Sequence, residues 1–179
     1  QLLSTSLESS CLGNPSAGVL VMNQIKEESW FRDFADKFNP GDDILVVASV
    51  FGGIGAAGLA QIVKTIRNAS RYQLPNQKHL EGSRIGAIVV QPYFGVATDS
   101  DSPINSRTFI TRTKHALAYY NRDVDAELDV NYPLGDPGST QVHPHCKGGT
   151  SQLNRAHFVE LVGALNIVDF AEGRTDRFV

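Results

Sequence analysis

Cysteine is scarce in this chain: Cys11 and Cys146 are the only two in 179 residues, too few for a disulfide framework, and a reducing cytoplasm is the compartment they suit. No apolar run approaches the length needed to span a bilayer, and the polar opening QLLSTSLESS is not a secretory leader. Basic residues show no excess. A net charge of −3 argues against broad binding to nucleic acid or to anionic membranes. Internal repeats and low-complexity stretches are absent as well. What remains is ordinary for a soluble globular domain, 41% hydrophobic and 20% charged, and long enough for one domain with a real core. The chain opens on Gln rather than Met, so the expectation is that residues precede it.

The stretch with most information is 42–67, DDILVVASVFGGIGAAGLAQIVKTIR. Ile44 to Ala48 is a continuous apolar run, as in a strand buried on both faces. Gly52, Gly53, Gly55 and Gly58 follow, and then Leu59, Ile62, Val63 and Ile66 repeat at helical spacing. Strand, glycine turn and helix together aim backbone N–H groups and the positive end of a helix dipole at an anion. The competing explanation is a tight turn whose glycines serve only close packing.

The rest of the chain supplies further elements. A helix is expected over about residues 17–38, with a break near Ser29 and with Ser16 as its cap. Asn39-Pro40-Gly41-Asp42 ends it. Residues 68–84 are a polar excursion. Ile85 to Val90 reads as a second buried strand leading into Gln91-Pro92-Tyr93-Phe94. An amphipathic helix of about four turns follows residues 97–106, carried by Phe109, Thr113, Ala116, Leu117 and Tyr120. Glu127 to Val130 is expected as a third strand ending at Asn131, residues 135–151 as loop, and a last helix from near Gln152 to Phe170. Alternation of apolar strands and helices implies a parallel sheet with helices on both faces. The segments after the strands, FGGIGAAG, QPYFG and NYPLGDPG, should then share the ligand-binding rim at the carboxyl ends.

Gly53-Ile-Gly-Ala-Ala-Gly58 matches the dinucleotide pattern G-x-G-x-x-G. That pattern also wants an acidic residue about 20 positions on, where this chain has Tyr72-Gln-Leu-Pro75. No Tyr-x-x-x-Lys pair is present, so an NAD(P)-dependent oxidoreductase is the weaker alternative. Taken in order, Gly13-Asn14-Pro15, ILVVASVFGGIGAAGLAQIV, IGAIVVQPYF, a strand ending in Asn131 and a helix carrying Asn154 resemble the GTP-binding half of the tubulin/FtsZ superfamily over residues 12–172. The resemblance implies a three-layer, Rossmann-like domain that binds GTP or GDP with Mg²⁺. It also implies head-to-tail self-association, and a first strand and first phosphate loop upstream of Gln1. Its nucleotide-binding residues would be Asn14, Gly52, Gly53, Ile54, Gly55, Ala56, Asn131 and Asn154.

Two departures stand out. Phe51 and Ala57 replace glycines of the family's phosphate loop, and Ile54 and Ala56 replace hydroxyl residues that would donate to phosphate. A scaffold that does not hydrolyse nucleotide is therefore a second alternative. Leu165 to Glu172 resembles the family's NxDFAD segment, which implies that Asp169 and Glu172 position water at a neighbouring subunit's nucleotide. His143, His145 and Cys146 are too few for a zinc site, with no second cluster to complete one. His157 and Glu160 read as a surface pair, and Ser49 and Ser151 lack the setting of a nucleophile.

Overall fold

The computed structural model describes residues 15–97, 106–136, 141–144 and 156–174. In chain order the elements are α1 (Pro15–Met22), α2 (Ser29–Lys37), β1 (Ile44–Ser49), α3 (Gly53–Arg67), α4 (Gln77–Glu81), β2 (Ile85–Val90), β3 (Gly95–Val96), α5 (Ser106–Asp123), β4 (Val130–Leu134), β5 (Val142–His143) and α6 (Phe158–Ala171). Strands β1, β2 and β4 form a parallel sheet in that order, and β3 pairs with β5 in a small separate one. The protein is thus a mixed α/β chain built on a three-stranded parallel sheet.

Period-two alternation decides which helix covers which face. Ile85, Ala87 and Val89 of β2 are buried in one cluster with Ile44 of β1, Leu59, Val63 and Ile66 of α3, and Tyr120 of α5. Phe31 and Ala35 of α2 close that cluster from outside. Ile88, the alternate residue, belongs to a second cluster with Tyr132 of β4 and Phe170 of α6. The helices α3 and α5 therefore lie on one face, and α6 lies on the other over β2 and β4. Gly86 lets α6 approach: a Cβ there would meet the Phe170 ring at 2.5 Å and Leu45 Cδ1 at 2.9 Å.

Arg67, in the last turn of α3, ties the amino edge of the sheet together. Its Nε donates to the Glu127 carbonyl (2.9 Å), Nη1 to the carbonyls of Glu81 and Ser83 (3.0 and 2.7 Å), and Nη2 to Asp129 (2.8 Å). Asp129 also accepts the Ile85 N–H at 2.7 Å. Burial works to raise the Asp129 pKa, but the Ile85 amide and Arg67 outweigh it, so the carboxyl titrates below its ordinary value.

Several boundaries differ from the sequence reading. The single helix over 17–38 is three pieces, α1, a 3-10 turn at Ile25–Glu27, and α2, because Glu28 takes an extended conformation and restarts the helix. Ser16 lies inside α1 and is not its cap; the helix opens on Pro15, a residue suited to a first helical position. The third strand is Val130–Leu134, not Glu127–Val130, because Asp125–Glu127 winds into a 3-10 turn and pairing with β2 starts at Gly86 opposite Val130. The last helix starts at Phe158, not near Gln152. Most consequential, α3 begins at Gly53, so the glycine cluster is helix and only Phe51-Gly52 remains as the bend.

Gly86→Ala should lower stability by about 1–3 kcal/mol through overpacking against Phe170, measured by urea unfolding. Asp129→Asn should be less stable than the parent at neutral pH. Because the folded pKa of Asp129 is depressed, that difference should shrink as pH falls from about 5 toward 2, and pH-dependent melting curves check the sign.

Candidate functional site

The carboxyl ends of the three strands carry the site. The Val50 N–H still bonds the Val90 carbonyl at 3.0 Å, and the chain then bends through Phe51 and Gly52 into α3. Gly52 is the N-cap residue, extended at φ −89° and ψ 159°, with no side chain capping the helix and no acidic residue in its first turn. The first intrahelical bond runs from the Ala56 N–H to the Gly52 carbonyl at 3.3 Å. The amides of Gly53, Ile54 and Gly55 are therefore the unpaired donors of a helix amino end.

The glycines and alanines around that end serve close packing. A Cβ on Gly18 of α1 would meet the Gly53 carbonyl oxygen at 2.2 Å, and one on Gly58 would meet Met22 Cε at 3.3 Å, so α1 lies directly on the first two turns of α3. A Cβ on Gly55 would meet the Ser49 carbonyl oxygen at 2.6 Å, so the helix starts in backbone contact with the end of β1. Tyr120 fixes the same turn from α5. Its hydroxyl is buried and donates to the Ala56 carbonyl at 2.6 Å; burial, and then neighbouring Tyr119, push its pKa up, so it stays a donor. Ile54 and Gly55 are half-buried, whereas Gly53, Ala56 and Ala57 are buried.

The exits of β2 and β4 share this rim. A line of rings joins them: Phe51 to Phe94 (centroids 5.8 Å apart), Phe94 to Tyr93 (5.1 Å), Tyr93 to His157 (5.0 Å) and His157 to Phe158 (4.7 Å), with His143 against Phe94 (5.8 Å). His157 is the N-cap of α6, not a member of the helix: its Nδ1 accepts the Val159 N–H at 3.2 Å. That bond requires a lone pair on Nδ1, so the ring proton sits on Nε2, which faces Asp136 Oδ2 at 3.5 Å. Burial, and then the charge of Glu160, raise the pKa of Tyr93. Sequence reasoning pointed to these strand exits but not to Tyr93, Phe94, Asp136 and His157 as a group, because contacts between loops leave no periodic signal.

The other expected site residues separate. Asn131 is the second residue of β4, opposite Ala87, and its Nδ2 donates to Asp125 at 3.1 Å. It does not follow its strand as the sequence reading had it. Three registers, roughly 10 Å along the strand, lie between it and the bend. Asp169 and Glu172 are at the far end of α6, about 20 Å from the carboxyl rim. Asp169 is buried and bonded to Arg174 Nε at 3.1 Å, while Glu172 is exposed and also pairs with Arg174. Asn14, Asn154, His145, Cys146 and Ser151 lie outside the described residues. Among the described residues no group of three or more His, Cys, Asp or Glu side chains is arranged for a metal.

Comparison of the chain with protein-family models, curated proteins and solved structures found no match in any of the three.

Tyr120→Phe should leave the Ala56 carbonyl without its second partner and cost about 1 kcal/mol, measured by chemical denaturation. Gly55→Ala should cost about 1–3 kcal/mol, because backbone rather than a flexible side chain blocks the new methyl.

Proposed function

We propose that this chain is a nucleotide-binding α/β domain that holds the phosphates of its ligand at the amino end of α3. The observation that carries the reading is the combination at Gly52: an N-cap without a side chain, half-buried, at the carboxyl end of a parallel strand. A phosphate accepting from the Gly53, Ile54 and Gly55 amides would gain both hydrogen bonds and the helix dipole. Parallel neighbours β1, β2 and β4, with helices on both faces, agree with half of a doubly wound sheet whose ligands sit at that rim.

The family resemblance makes the ligand a guanine nucleotide and the protein a cytoplasmic, tubulin/FtsZ-like member with the three-layer fold. Mg²⁺ would arrive with the triphosphate, held by phosphate oxygens and water, since the bend itself offers no carboxylate. Backbone amides would stabilise charge on the phosphate oxygens; Ile54 and Ala56 contribute no hydroxyl donors, which leaves binding stronger than hydrolysis. Head-to-tail association would bring the Glu172 end of one chain to the α3 end of the next, because α6 runs from one rim of the sheet to the other. Within that arrangement Glu172 is the carboxylate available to a neighbour, and Asp169, buried against Arg174, holds the helix end in shape.

A second reading, a scaffold that binds no nucleotide, draws on one specific observation. Gly18, Gly55 and Gly58 are each needed for packing, so close contact alone accounts for much of the glycine pattern.

Thermal-shift measurements with GTP, GDP, ATP, NAD and NADP separate the possibilities. GTP or GDP at about a hundred times Kd should raise Tm by roughly 5–10 °C. Gly52→Asp places a carboxylate over the same amides; it should keep or slightly raise Tm without ligand and abolish the nucleotide shift. A shift with NADP alone would make the protein an oxidoreductase candidate. No shift with any of the five would leave the scaffold reading.

A further inference from the structure

Helix α6 carries two apolar stripes, and only one has a partner. Val159, Asn166, Asp169 and Phe170 are buried toward the sheet. On the other side Phe158, Leu161, Leu165 and Val168 are 46–64% exposed. Their spacing is three, four, three, the a/d pattern that seats one helix against another rather than against a sheet or a small ligand. A 14-residue helix that is apolar nearly all round is normally enclosed, and Glu160 is the one charged residue on its exposed surface.

We infer that this stripe is a seam between two copies of the chain, α6 against α6 in antiparallel orientation. Three observations select a second copy. The stripe matches itself: with the two-fold axis close to Leu165, Leu161 of one copy lies opposite Val168 of the other, leucine against valine throughout. Charge sets the direction. A parallel pair would oppose Glu160 to Glu160 and align the two helix dipoles, whereas the antiparallel pair separates the glutamates and sets each amino end beside a carboxyl end. The area suffices: these four side chains leave on the order of 400–500 Å² of apolar surface per copy, so a pair reaches about 1,000 Å², where specific interfaces begin. This seam is independent of nucleotide binding, because it uses the side of α6 that faces away from the sheet.

Sedimentation velocity of the whole chain, from low micromolar to submillimolar concentration, tests it. The expected result is a monomer–dimer equilibrium, with Leu161→Lys and Leu165→Lys each weakening dimerisation at least roughly tenfold while far-UV circular dichroism stays unchanged. Both positions are exposed in the monomer, so neither change disturbs the core. A wild-type chain that remains monomeric throughout overturns the inference, which would leave the stripe to a helix from elsewhere. A dimer of unaltered strength in both lysine variants overturns it too.

Discussion

Everything at the carboxyl rim depends on how closely α3 sits on the end of β1. The Ser49 carbonyl occupies space that any side chain at residue 55 would need, and the Gly53 carbonyl occupies space that any side chain at residue 18 would need. Two backbone-to-backbone approaches therefore fix the axis of α3 relative to the sheet and to α1. The direction in which its free amides point follows from them. Tyr120 adds a third anchor from α5 at the same turn. A helix fixed in three directions at its first turn needs little reorganisation to present its amides, which is the condition under which oriented dipoles act most strongly.

This close packing explains why the glycine cluster carried two meanings. Glycine costs helix stability, so four of them in seven positions read as loop, and the helical stripe at Leu59 to Ile66 marked where helix became certain. Tertiary contact decided otherwise, because the gain from seating α1 and β1 against the first two turns exceeds the conformational cost. The apolar runs at Ile44–Ala48 and Ile85–Val90 were legible because burial on both faces leaves nothing else for them to be. The third strand was displaced because Val130, Tyr132 and Leu134 alternate with Asn131 and Pro133, a half-buried pattern whose start depends on where β2 offers partners.

The candidate site was legible in outline and not in detail. Strand exits named the rim, since their position follows from topology alone. Asn131 was misplaced with its strand: a boundary four residues later moves a side chain from one edge of the sheet to the other. The ring line from Phe51 to Phe158 was invisible, as it joins five residues from three loops with no shared period. His157 shows the same limit. Its spacing to Glu160 suggested two neighbours on a helix surface, yet one of the pair caps the helix and holds its proton toward Asp136.

Opposite that rim, Arg67 gathers acceptors from Glu81, Ser83, Glu127 and Asp129, so one planar group spans three stretches of chain. Its fork satisfies carbonyls lying in different directions at once, something a single ammonium at the end of a flexible stem does not reproduce. Positive charge by itself is therefore the lesser part of what this position demands. Shape is what it selects, and the lower edge of the sheet is a place where lysine and arginine are not synonyms.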